Sequence, residues 1–260
     1  MSEGRSDEPR IRVAVPSPPP GDDDARARVA EEPSLVDKAK ASPLTVALTA
    51  INVAVFAWAS STGSTESLEV LRRFGAVDPL LVWSGEYWRL GTCMFMHIGI
   101  VHLVWNTYAG FGWSAAIERL LGRARFLFVY LASGISGGAF SVLGAWLMAR
   151  GVVSAGASGA MFGMVGATFA IRRLQLGSTK ALLADKFFRA NALNIAIWTL
   201  IGFSLNVDNF AHLGGFVCGT AATWLLVTRA SRTRWAIFAA AYALVLLGAM
   251  RPWLLLASTG

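Results

Sequence analysis

Three histidines and one serine are the side chains of this chain best suited to acid–base and nucleophilic work. His97, His102 and His212 are its only histidines, and each lies in a long uncharged stretch. Ser158 lies in another, within the run Gly156-Ala157-Ser158-Gly159-Ala160. A serine hydroxyl is a weak nucleophile until a base takes its proton, and an imidazole titrating near neutrality suits that task. Polar groups of this kind are costly in hydrocarbon and tend to mark function there. The combination points to hydrolytic chemistry performed inside a membrane.

Spacing sharpens the assignment. Gly159 and Gly163 form a small-xxx-small pair with Gly166 one turn on, and Gly215 and Gly219 form a second pair. Such pairs let helix backbones approach closely in lipid. His212 precedes Gly215 by three residues and Gly219 by seven, so it shares their face. Packing one glycine face on the other brings the Ser158 hydroxyl within reach of the His212 ring. His102 and Asn106 stand four apart, on one helix face, and both can donate to a developing oxyanion. Removing one such donor typically costs about 2.7–4 kcal/mol of transition-state stabilisation. Taken singly, Ser158 reads as a helix-packing serine, His212 as readily structural as functional, and His102–Asn106 as a polar link between helices. Together they favour catalysis. No Asp or Glu lies inside an apolar stretch to orient the imidazole, so the expected site is a Ser–His dyad. His97 stands about 140° around a helix from His102 by the 3.6-residue period, a poor arrangement for a shared metal. No cofactor is expected and no metal is favoured, a three-histidine metal site being the lesser alternative.

The elements that must position these groups follow from composition. Apolar residues make up 55% of the chain and charged residues 15%, whereas a soluble domain carries about 25% charged residues. Seven stretches are nearly free of charge: 41–65, 90–117, 126–149, 151–171, 190–207, 209–228 and 235–250. A spanning helix needs about 20 apolar residues. Six stretches meet that test, and the seventh reaches it if Arg251 snorkels and residues 252–257 continue it. The expected fold is an all-α polytopic transmembrane bundle with a six-helix core and a seventh C-terminal helix. Residues 1–41 read as a disordered cytosolic tail, 42–230 as the catalytic core, and 231–260 as the seventh helix and C-terminus. The longest loop, 63–89, carries Trp83, Tyr87 and Trp88 and reads equally as a folded element at the outer interface or as an ordinary loop with aromatic anchors. No apolar signal region precedes the first span, which is expected to act as an uncleaved anchor.

A pI near 10 suggests a nucleic-acid partner, but the charge distribution argues against it. Residues 1–42 hold 9 acidic and 7 basic side chains, so the excess positive charge lies in the loops between spans. With the N-terminus inside, 18 Lys and Arg residues fall on the inner side and 5 on the outer. The positive-inside rule therefore selects a cytoplasmic N-terminus. In that topology Ser158, His212, His102 and Asn106 all fall in the outer half of the bilayer, Ser158 within about two helical turns of its helix's outer end. Cys93 and Cys218 lie within spans and read as packing residues.

Tyr87-Trp88-Arg89, then His97, His102 and Asn106, then Gly156 to Ala160, then Ala211-His212-Leu213-Gly214-Gly215 together resemble the rhomboid intramembrane serine proteases. The resemblance covers about residues 85–220, with the motifs in order. It implies Ser158 as nucleophile and His212 as base, with His102, Asn106 and the Ser158 amide at the oxyanion. It places Trp88 and Arg89 in a structured first loop and matches Glu118 to a family acid, while Leu120 stands where some bacterial members carry arginine. The implied substrates are transmembrane segments of other membrane proteins, cut near small and helix-weakening residues, with no nucleic acid involved. A bacterial plasma membrane is the expected location. A catalytically silent relative that binds or escorts membrane clients is the alternative. A transporter would need a midplane site with broken helices. An α/β-hydrolase elbow would need glycine where Ala160 stands.

Overall fold

The computed structural model describes residues 34–149, 151–204 and 207–251. Seven long helices dominate it: α1 (Pro43–Thr62), α2 (Gly99–Leu121), α3 (Arg123–Leu147), α4 (Ser158–Leu176), α5 (Lys186–Ser204), α6 (Asn209–Val227) and α7 (Arg232–Met250). They correspond one to one with the seven uncharged stretches. Four of them, α1, α3, α6 and α7, are long and apolar enough to cross a membrane on length and composition alone. Polar groups on the other three include His102 and Asn106 on α2, Arg172 and Arg173 on α4, and Lys186 and Arg189 on α5. The seventh span, made dependent on residues 252–257 by the sequence, qualifies within Arg232–Met250 by itself; residues 252–257 lie outside the described residues. Of the expected disordered tail, residues 1–33 also lie outside them, and Leu35–Lys40 is helical, capped by the Ser34 hydroxyl.

Two helix starts differ from the sequence reading, and both matter for the site. The second helix begins at Gly99, not near residue 90; Arg89–Thr92 and Cys93–Phe95 form separate short turns before it. His97 therefore sits in the approach to α2 and has no helical register with His102. The fourth helix begins at Ser158 itself, because residues 151–157 are drawn into contacts with other segments. Ser158 is thus the first helical residue instead of lying turns deep.

Small residues set how the central helices pack. In lipid the apolar surroundings offer no hydrophobic drive between helices, so close backbone contact and hydrogen bonds must hold them. A Cβ on Gly215 would collide with the carbonyl of Gly159, and one on Gly219 with that of Gly163. On its other side Gly163 abuts Ser133 of α3. Ser136 of α3 donates its hydroxyl to the Gly214 carbonyl at 3.0 Å. Helices α3, α4 and α6 form a tight trio as a result, and a Cβ on Gly137 would stand 3.0 Å from the Ala211 carbonyl.

At the far end of the bundle, Glu118 near the end of α2 caps α1 from across the fold. Its carboxylate accepts from the Leu44 amide at 3.0 Å, the Thr45 amide at 2.7 Å and the Thr45 hydroxyl at 2.8 Å. The Ser42 hydroxyl cannot cap α1 itself, because it donates to the Ala115 carbonyl at 3.2 Å. An imported carboxylate both satisfies orphan N–H groups and complements the positive helix end.

The first loop is folded, with helices at Leu68–Arg73 and Pro79–Trp83. Arg89, buried to 4%, is its internal staple, donating to the carbonyls of Arg72 at 2.6 Å and Ala76 at 3.1 Å and pairing with Glu86 at 2.7 Å. The Arg89 guanidinium also lies 4.5 Å from the centre of the half-exposed Trp88 ring. Trp83 and Tyr242 anchor α7, donating to Ala249 at 3.1 Å and Ala132 at 2.9 Å respectively.

Candidate active site

Three remote segments hold the strand of backbone that leads into Ser158. Val77 of the first loop and Ser154 exchange both backbone hydrogen bonds at 2.8 Å. The Gly156 amide donates to the Cys93 carbonyl at 2.9 Å, and the Ala157 amide to His97 Nε2 at 3.4 Å. His97, fully buried, is therefore a structural support for the loop, the part expected of it from the sequence. Gly156 adopts φ +131, and a Cβ there would stand 2.7 Å from His102 Cε1. Glycine is what lets this loop lie against the His102 ring.

Ser158 and His212 meet. Ser158 Oγ lies 3.0 Å from His212 Nε2, and His212 sits in the first turn of α6. The imidazole stacks face to face on Phe162, with centroids 4.2 Å apart and planes 8° from parallel. Phe162 is one turn beyond Ser158 on α4, so one helix carries both the hydroxyl and the surface that orients its partner ring. The sequence reading missed Phe162; its signal was an aromatic at i+4 from the serine.

His102 shows which of its nitrogens carries the hydrogen. Its Nδ1 accepts from the Ile98 amide at 3.3 Å, so the neutral ring is protonated at Nε2. That Nε2 is the atom turned toward the Gly156–Ser158 loop, standing 3.0 Å from the position of a Gly156 Cβ. The His97 and His102 rings contact each other edge to face at 5.5 Å. Asn106 donates its Nδ2 to the His102 carbonyl at 3.0 Å, and the same nitrogen lies 3.8 Å from the Gly156 Cβ position. The structure thus gathers Ser158, His212, His102 and Asn106 around one loop and helix start. The free N–H groups of a helix N-terminus add positive potential there. Such an array can deprotonate a hydroxyl and receive negative charge beside it. Cys93 and Cys218 are free and buried, as packing residues should be.

Among known families, the rhomboid domain model matches residues 84–229. The rhomboid protease GluP of Bacillus subtilis (strain 168) is 37% identical over 175 residues, covering 65% of this chain and 32% of that protein. The putative rhomboid protease YdcA of the same organism is 34% identical over 153 residues, covering 58% and 73%. RHOMBOID-like protein 6, mitochondrial, of Arabidopsis thaliana is 34% identical over 164 residues, covering 62% and 51%. The match spans about a third of GluP and about half of the plant protein. The segment that the family model matches is more than half of this chain, and it runs from the foot of the first loop to the end of α6, taking in Ser158, His212, His102 and Asn106. The chain is accordingly a member of the rhomboid family of multi-pass membrane proteins.

Proposed function

We propose that this chain is an intramembrane serine endopeptidase that cuts transmembrane segments of other membrane proteins. The observation that carries the reading is the 3.0 Å contact between Ser158 Oγ and His212 Nε2, flanked by donors on His102 and Asn106. Ser158 attacks the scissile carbonyl while His212 Nε2 takes its proton. His102 Nε2–H, Asn106 Nδ2–H and the Ser158 amide stabilise the oxyanion. The imidazolium then protonates the leaving amine, and water, deprotonated by the same ring, releases the acyl group. The proposed location is a bacterial plasma membrane, with the N-terminus cytoplasmic and the site open to the outer face. The relatives named as rhomboid proteases support peptide-bond hydrolysis as the chemistry.

The test is labelling of detergent-purified protein with a fluorophosphonate serine probe, beside cleavage of a transmembrane reporter. Wild-type protein should label and cleave, and Ser158→Ala and His212→Ala should do neither while keeping their helical spectrum. A folded wild-type protein that neither labels nor cleaves would favour the silent, client-binding relative.

A further inference from the structure

His212 has no carboxylate partner inside its helix, yet one stands just outside it. Asp208 is the N-cap of α6, and its Oδ1 accepts from the Ala211 amide at 3.0 Å. Its second oxygen, Oδ2, is buried without a partner, and so is Nδ1 of His212. The cap residue and the fourth helical residue share one face of the first turn, so both free atoms belong to the same side of α6. They are chemical complements. In the tautomer that the protease reading requires, Nε2 accepts from the Ser158 hydroxyl and Nδ1 carries the hydrogen, a donor without an acceptor; Oδ2 is an acceptor without a donor. Asp208 and His102 are the titratable groups that act electrostatically on His212, and Asp208 acts also on Cys93 in the turn before α2.

We infer that Asp208 is the anionic positioning residue for His212, its Oδ2 receiving the Nδ1–H through one water and stabilising the imidazolium. The inference rests on the protease reading of the same site. In the acylation step the Ser158 Oγ lone pair forms the bond to the carbonyl carbon, and the C=O π pair moves to the oxygen. The Oγ proton passes to His212 Nε2, which later delivers it to the leaving nitrogen. Asp208 never takes the Oγ proton, as in hydrolases whose acid only orients the imidazole. Phe162 fixes the plane of the ring, and Asp208 fixes the tautomer within that plane.

The variant Asp208→Asn separates charge from capping, because asparagine caps a helix as well as aspartate does. Two readouts on the full-length protein test it. In 15N-histidine spectra, simple to assign with three histidines, the His212 titration midpoint should fall by about one pH unit in Asp208→Asn, with His97 and His102 unmoved. In reporter cleavage, kcat should fall by at least about tenfold with KM nearly unchanged, and the acid limb of the profile should shift to lower pH. A His212 midpoint and a kcat that both match wild type in Asp208→Asn would overturn the inference while leaving the protease standing. An inert wild type whose His212 midpoint still depends on Asp208 would sink the protease reading and uphold the pairing.

Discussion

In the proposed mechanism the stacking of Phe162 on His212 holds the base still. Stacking at 4.2 Å leaves the ring one plane in which to sit, and that plane directs Nε2 at Ser158. An aromatic pair of this kind contributes about 0.5–1.5 kcal/mol beyond burial. Phe162→Ala should therefore slow fluorophosphonate labelling by roughly three- to tenfold, and Phe162→Tyr should restore it; equal rates in all three proteins would remove Phe162 from the mechanism. Asn106→Ala should slow cleavage on the order of tenfold to a thousandfold with Ser158 still present. The types and spacing of Ser158, His212, His102 and Asn106 were readable as a site because polar groups stand out in apolar stretches. Phe162 and Asp208 were not, since an aromatic among apolar residues and a helix cap both look like ordinary structure.

Between elements, the glycine faces convert local composition into geometry. Helix α6 lies on α4 with carbonyls where side chains would be, so Gly215→Ala must separate the helices and with them Ser158 from His212. Overpacking of this sort costs about 1–3 kcal/mol, and both the thermal midpoint and the labelling rate should drop. Gly112 in α2 has nothing within 4 Å of its Cβ position, so Gly112→Ala should leave both unchanged or slightly raise the midpoint. A Gly215→Ala protein as stable and reactive as wild type would refute the packing argument. Glu118→Ala strands three donors at the start of α1 and should cost about 1–3 kcal/mol for a buried group left unsatisfied. Because Glu118 lies at the opposite end of α2 from His102, labelling per folded molecule should persist, as comparison of active fraction with folded fraction would reveal.

Across the whole molecule, the loop before Ser158 belongs to the first loop as much as to its own helix. The paired bonds between Val77 and Ser154 tie the loop spanning 63–89 to the backbone that precedes Ser158, and Arg89 holds that loop's fold. In the proposed topology this end of the bundle faces outward. Ser84→Cys, on an exposed turn of the first loop, should react with a membrane-impermeant maleimide on intact cells, and Lys180→Cys only after permeabilisation. The reverse pattern would invert the topology. The buried native thiols should give little background.

Composition and spacing alone specify seven largely uncharged helices, which residues within them are polar enough to be costly in lipid, and which faces are small enough to touch. These are local properties: side-chain transfer free energy and side-chain volume act wherever the residue sits. Where helices begin was decided by tertiary structure. Ser158 heads α4 because the residues before it bond to Val77, Cys93 and His97, and α1 starts beneath a carboxylate 73 positions further along the chain. A backbone donor must find its acceptor, and in an apolar surrounding only the folded chain supplies one. Those long-range partners placed Ser158 at a helix end, facing His212, where a hydroxyl among glycines becomes a candidate nucleophile.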